Sequence, residues 1–286
     1  MAGASALWPL AALAQRASTA QANVQVLAER LAMPGLNRER GLRLYLPPSY
    51  ATQPERRYPV IYLHDAQNLF DEATSFIGEW GVDETLNALA RSHAFEAIVV
   101  GIDHGGDTRV AEMLAWPIAE LARVEGDAYI DFIARTVKPW IDARYRTRPE
   151  GSQTAIGGAS IGASISHSAV LRHPAVFGKA LLLSPSYWAA EPLFEQVRTQ
   201  PAAHHPRLYL YVGSGEVAQM TEPTQRMAAL LQSQGAASIL HVEPGARHNE
   251  AAWRAAFGPA VIWLFELSAR SQPGAGPGHV SNSRHD

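Results

Sequence analysis

Three features of the sequence predict an α/β domain, with a mostly parallel central sheet flanked by helices. Short β-type runs alternate with helical ones along the chain, the order that strand–helix–strand units require. Several runs, among them Ala97–Ile102 and Ala180–Leu183, are continuously apolar, as strands covered on both faces are. Finally, a β-prone run from Gln153 leads through Gly158-Ala159-Ser160-Ile161-Gly162 straight into a small-residue helical pattern. Such a pentapeptide between strand and helix describes a tight turn that pushes the serine hydroxyl out at the carboxyl end of a sheet.

Taken in order, Val24–Leu31 and Leu42–Leu46 read as an opening antiparallel pair, the second stopped by Pro47-Pro48. Tyr58–His64 is a buried strand, Asp83–Arg91 a helix, and Ala97–Ile102 a second buried strand. Tyr129, Phe132, Ile133, Val137, Trp140 and Ile141 fall at helical spacing, which predicts one long amphipathic helix from about Asp127 to Tyr145, kinked by Pro139. The serine turn and its helix follow, closed by His173-Pro174. Ala180–Leu183 and Leu208–Val212 are further central strands, Thr224–Gln234 a helix, Ser238–Val242 the last strand and Glu250–Ser268 the closing helix. No repeat and no linker interrupts residues 23–270, so they form one domain. Residues 1–22 are a small and apolar leader; residues 271–286 are Gly/Pro/Ser-rich and read as a disordered tail.

Composition narrows the function. The formal charge of −3 lacks the basic excess of a nucleic-acid surface, and no apolar run is long enough to span a bilayer. Without cysteine there is no disulfide, thiol nucleophile or thiolate metal site. The leader offers small-x-small cleavage patterns at Ala12-Leu-Ala14 and Ala20-Gln-Ala22 but lacks an opening Lys or Arg. Export and a cytoplasmic location both stay open.

A serine hydroxyl needs an adjacent base, and the base needs an orienting group. In an open α/β sheet these collect after the carboxyl ends of strands. Downstream of Ser160, Gly213-Ser-Gly-Glu216 follows one strand and Glu243-Pro-Gly-Ala-Arg-His248 follows another. The order Ser160, Glu216, His248 is the one that accompanies this turn. Glu222 and Glu243 are competing candidates for the acid. His167 and His204-His205 have no partners at metal-ligand spacing and read as surface or helix-cap residues; no metal site is expected. An oxyanion needs two backbone donors. One is expected at Ile161, the other in the loop after the Tyr58–His64 strand, at Ala66 or Gln67.

With these residues in view, Tyr62–Asp71, Gly78–Thr85, Val100-Gly-Ile…Arg109…Glu112, Ser184-Pro-Ser-Tyr-Trp188 and Gly245…His248…Trp253 together resemble the Putative esterase branch of the α/β-hydrolases. That branch includes enterochelin esterase-like proteins, feruloyl and acetyl-xylan esterases and mycolyltransferases. The resemblance runs from about Arg43 to Leu267. It implies an α/β-hydrolase fold and hydrolysis of carboxylic esters through a Ser-acid-His triad, with no cofactor. Two positions depart from the family pattern: Ala66 stands where Asp-Gly-Gln is usual, and Ala163 where a Gly-Gly pair is usual.

Trp80, Trp116, Tyr187 and Trp188 lie in or near loops after strands and are candidate walls for a ring-bearing substrate. Arg109 is a candidate clamp for a substrate carboxylate, or an ion-pair partner of Glu112. The expected substrate is a small-molecule or carbohydrate-linked ester: short-chain, aromatic or siderophore. Acyl transfer by the same triad and a silent binding protein of the same fold are the alternatives. The oligomeric state is not fixed by the sequence.

Overall fold

A computed structural model describes residues 16–200 and 206–269. The first fifteen residues, His204-His205 and the 271–286 tail lie outside the described residues. The strands are β1 (Val24–Val26), β2 (Leu31–Met33), β3 (Arg38–Arg40), β4 (Leu42–Tyr45), β5 (Val60–His64), β6 (Ile98–Ile102), β7 (Thr154–Ala159), β8 (Lys179–Leu183), β9 (Arg207–Gly213) and β10 (Ser238–Glu243). The helices are α1 (Val82–His93), α2 (Arg109–Glu112), α3 (Gly126–Phe132), α4 (Lys138–Arg144), α5 (Ile161–Arg172), α6 (Pro192–Thr199), α7 (Ala218–Ser233) and α8 (Glu250–Leu264).

Eight strands form one sheet in the order β1-β4-β6-β5-β7-β8-β9-β10. β1 and β4 run antiparallel to their neighbours, and every pairing from β6 to β10 is parallel. Parallel central strands need cover on both faces, and β5 has it. Val60 and Tyr62 join the core on one face, with α3 to α7, while Ile61 and Leu63 join the other, with α1 and α8. This is the architecture of the α/β-hydrolase fold. No described helix is long and apolar enough to cross a membrane.

Several elements differ from expectation, each for a local reason. The opening run breaks after Val26, because Leu31–Met33 leaves to pair with Arg38–Arg40 as a separate hairpin. The long helix is not kinked inside α-geometry. Instead the chain widens into a π-helical turn over Ile133–Val137, where Lys138 N–H bonds to the Ile133 carbonyl, and Pro139 falls in the first turn of α4. The π turn shifts the bonding register just ahead of a proline that has no N–H to donate. α7 begins six residues earlier than Thr224 and carries Pro223 in its interior, at the loss of the bond an N–H there would make to the Gln219 carbonyl. The segment α6 is an additional helix, with Pro192 at its start.

Candidate active site

Ser160 stands between β7 and α5 with φ 57° and ψ −126°, a conformation that an L-residue adopts only when its surroundings impose it. The turn is fixed by bonds from Ser160 N–H to the Leu183 carbonyl on β8 and from Ser186 N–H to the Ser160 carbonyl. The two flanking glycines are not equivalent. A β-carbon on Gly158 would lie 3.0 Å from the His64 ring and 3.1 Å from the Gly162 backbone, whereas one on Gly162 would meet nothing nearer than 3.4 Å. A side chain is therefore crowded at Gly158, where the His64 ring or the Gly162 backbone would have to give way, and has room at Gly162.

The Ser160 Oγ lies 3.1 Å from His248 Nε2, and His248 Nδ1 lies 2.8 Å from Glu216 Oε2. Glu216 is fixed on its other oxygen, which accepts from Ser184 Oγ at 2.6 Å and from Gly213 N–H at 2.9 Å. Burial works to raise the Glu216 pKa, but its bonds from His248, Ser184 and Gly213 outweigh that and lower it. With the carboxylate ionised, Nδ1 of His248 carries the proton and Nε2 is left to accept from Ser160. Neither competing acid takes this position: Glu243 pairs with His241 on the exposed edge strand.

Local backbone packing brings the acid and the histidine together. Ser214 N–H bonds to the Glu243 carbonyl, Gly215 N–H to the Ala246 carbonyl, and Gly245 N–H to Ser214 Oγ. A β-carbon on Gly213 would collide with the Ala246 carbonyl, and one on Gly215 would lie 2.8 Å from that of Gly245. The glycines let the two loops zip side by side. Directly after His248, the Asn249 side chain caps α8 by accepting from Ala252 N–H at 3.0 Å.

Ile161 opens α5, and Ala66 opens a short 3₁₀ turn, Ala66–Asn68, after β5. N–H groups at such positions have no acceptor within their own helix. The Ala66 methyl is turned into the core: it is buried, and a β-carbon on Gly101 of β6 would come within 2.8 Å of it. The alanine is thus accommodated by a glycine on the neighbouring strand. Gln67 braces two loops, its Oε1 accepting from His104 N–H at 3.0 Å.

A cavity of about 380 Å³ opens over Ser160 and His248. Trp80, Phe76 and Trp253 supply apolar walls, and Asp65, Arg109 and Glu250 a charged one. Of the expected substrate-contacting residues, Trp80 and Arg109 are here. Trp116 is not; it lines a separate cavity with Asp127, Ser168 and Arg172. Tyr187 is buried, its hydroxyl 2.8 Å from His167 Nδ1 and its ring edge-on to Phe194, so it packs the core. His167 is correspondingly a buried residue rather than a surface one. Trp188 is exposed and does not line the Ser160 cavity.

Arg109 does not pair with Glu112. Its guanidinium forks onto Asp65, with bonds of 2.6 and 2.7 Å, while the buried Glu112 takes Arg38 and Arg40 from the β2–β3 hairpin, each at 2.6 Å. Burial opposes the Arg109 charge, but the Asp65 bonds and charge outweigh it and raise the pKa. Glu250 is pushed the other way: burial raises its carboxyl pKa, with Asp65 adding to the effect.

Ser184, Ser186, Trp253 and Phe76 were not expected in the site. Ser184 bridges Glu216 and the Trp253 indole N–H, the latter at 3.0 Å, and the Trp253 ring stands edge-on to His248. Ser186 Oγ lies 3.2 Å from Ser160 Oγ. The sequence signals were the run Ser184-Pro-Ser after a strand and the spacing Gly245…His248…Trp253, neither of which has chemistry until folding places it beside Glu216 and His248.

Beneath the turn, His64 is buried between the Tyr129 hydroxyl, 2.9 Å from Nδ1, and Ser166 Oγ, 3.0 Å from Nε2. Burial lowers its pKa from 6.5 to about 4, with Arg109 adding to this against the opposing Asp65. The unfolded chain therefore binds a proton between pH 6.5 and about 4 that the folded chain refuses, so stability falls as pH drops through that window. At about 1.4 kcal/mol per pKa unit the loss is about 3 kcal/mol. Urea denaturation at pH 6.5 and 4.5 should show it, and His64→Gln should have a visibly shallower dependence. An equal slope in both proteins would remove His64 as the source.

The chain belongs to the esterase family described as Putative esterase, whose model matches residues 34–264. It is thus a carboxylic ester hydrolase by family. Among its relatives is the uncharacterized protein YbbA of Bacillus subtilis (strain 168), 27% identical over 249 residues that cover 79% of this chain and 92% of YbbA. The fold is similar to the siderophore hydrolase EstA from Aspergillus nidulans, with a TM-score of 0.68 and 17% identity over 92% of this chain and 98% of that one. It is also similar to an enterochelin esterase from Shigella flexneri, with a TM-score of 0.70 and 19% identity over 86% of this chain but 59% of that one.

Proposed function

We propose that this esterase cleaves its substrate by double displacement, with Ser160 as nucleophile, His248 as general base and acid, and Glu216 as the group that orients His248. The observation that carries the reading is the continuous relay Ser160–His248–Glu216, at 3.1 and 2.8 Å. As Ser160 Oγ bonds to the ester carbonyl carbon, its proton passes to His248 Nε2. The tetrahedral oxyanion is held by the Ile161 N–H and an N–H from the Ala66–Gln67 turn. Collapse breaks the bond to the alcohol oxygen, which leaves with the proton from His248. Water then repeats the sequence on the acyl-enzyme and releases the acid.

The cavity supports a substrate class. Three aromatic side chains and a volume of about 380 Å³ suit a short acyl chain or a single ring better than a long aliphatic chain. The siderophore and enterochelin esters named for the similar structures, and aromatic or carbohydrate-linked esters, are of this kind. Short-acyl and aromatic esters should have higher kcat/KM than a C16 ester; similar values would mean a channel other than this cavity. The catalytic assignment is tested by a fluorophosphonate probe. It should label Ser160 alone, as read by peptide mass spectrometry, and labelling of another serine would overturn it.

A further inference from the structure

We propose that Phe76 is a specificity-determining residue that contacts an aromatic ring of the substrate, and that the segment Arg16–Gln21 is a strap that positions it. This rests on the reading of the Ser160 cavity as the catalytic site.

Phe76 lines that cavity yet is 78% exposed, and its neighbour Ile77 is 66% exposed. Burying a phenylalanine is a main source of stability in a fold. The loop that carries Phe76 gains little of this, so polar bonds must hold it. The body of the domain supplies Phe76 N–H to Asn68 Oδ1 at 3.0 Å, Trp80 N–H to the Asn68 carbonyl at 2.8 Å, Thr74 Oγ1 to the Gln67 carbonyl at 2.8 Å and Arg43 to Thr74 Oγ1 at 2.7 Å. A further set comes from a segment more than fifty residues away in sequence. Arg16 donates to Glu72 Oε1 and to the Ser75 carbonyl, both at 2.7 Å. Ser18 Oγ and Thr19 N–H donate to the two oxygens of Asp71, at 2.9 and 3.2 Å. Thr19 Oγ1 accepts from Glu72 N–H at 2.8 Å, and Gln21 N–H anchors the end of the strap on the buried Asp83 at 2.9 Å.

The Arg16 bond to the Ser75 carbonyl acts on the residue immediately before Phe76. Trp80 and Trp253 line the same cavity, so a ring entering it meets aromatic surface from Phe76 as well. The strap begins after the first small-x-small pattern of the leader and runs into the second, Ala20-Gln-Ala22, which contains its last donor. Processing after Ala22 would remove every strap donor, and processing after Ala14 would leave all of them.

The test is a double-mutant cycle in the full chain between the strap variant Arg16→Ala/Ser18→Ala and Phe76→Ala. Vinyl benzoate is compared with vinyl acetate, neither of which has an aryl leaving group. Phe76→Ala should raise KM for vinyl benzoate about fivefold, and more than it does for vinyl acetate, with Phe76→Tyr restoring the wild-type value. The strap variant should reproduce that rise and leave vinyl acetate kcat/KM unchanged. Combining the two should add nothing further, because the strap acts through Phe76. Additive effects, equal losses on both esters or no change in KM would overturn the proposal. Binding of vinyl benzoate to Ser160→Ala, read by tryptophan fluorescence, makes the same comparison without turnover. Hydrolysis that survives Ser160→Ala would instead count against the catalytic assignment, while the binding cycle still decides the role of Phe76.

Discussion

Ser160→Ala is expected to yield a folded protein whose kcat/KM is lower by about three orders of magnitude or more. The fold should survive because the Ser160 hydroxyl contributes nothing to the turn. Among the described residues its Oγ meets only His248 and Ser186, and it makes no cap bond to α5. The bonds that hold the turn are backbone ones, to Leu183 and from Ser186, and alanine keeps them. What remains after the substitution is the oxyanion donors acting on a water nucleophile. Among the described residues the neighbouring Ser186 hydroxyl, 3.2 Å away, is the hydroxyl close enough to substitute. The double variant Ser160→Ala/Ser186→Ala therefore belongs in the experiment, and should be no slower than Ser160→Ala by more than a small factor. Measured by initial rates alongside thermal unfolding, a variant that keeps full activity would remove Ser160 from the mechanism.

The second large effect is at the base and its acid. His248→Ala should cost about as much as Ser160→Ala, since without an acceptor the serine keeps its proton. Glu216→Gln should cost less, about two orders of magnitude, and the geometry gives the reason. Oε1 of Glu216 accepts from both Ser184 and Gly213, so glutamine must turn its amide NH2 toward His248. That favours the tautomer with the proton on Nε2, where it faces Ser160 in the wrong sense. The histidine is still in place, however, and can reach the productive tautomer part of the time. In the wild-type protein the lowered Glu216 pKa sets the sign of the acid limb: loss of activity through Glu216 protonation begins only below its ordinary value of 4.5, and activity from this group is retained above it. Glu243→Gln or Glu222→Gln should be harmless in the same assay. A damaging change at either of those, with Glu216→Gln silent, would reassign the acid.

Much of this site was legible because its elements are short and local. A glycine–serine turn between an apolar strand and a helix, an acid after one strand and a histidine after another are patterns of a few adjacent residues. The walls were less legible. Tyr187 and Trp188 are neighbours in a loop beside the site, yet the chain turns one into the core against His167 and Phe194 and leaves the other in solvent. Trp116 and Trp80 both lie in loops between elements, but the two line different cavities. Burial of an aromatic side chain depends on what packs above it, and loop residues have no periodicity from which to read that.

The sequence by itself determined the strand and helix alternation, the Gly158–Gly162 turn and the order Ser160, Glu216, His248. Each is dictated by steric or hydrophobic rules that act within one segment. Only the tertiary structure decided that Arg109 forks onto Asp65 while Glu112 binds Arg38 and Arg40, that Ser184 joins Glu216 to Trp253, and that Arg16 reaches the loop before Phe76. These are pairings between segments distant in sequence. A charge or hydroxyl can satisfy itself with any partner of suitable chemistry, so the choice among partners is made when the packed backbone brings one of them within hydrogen-bond reach.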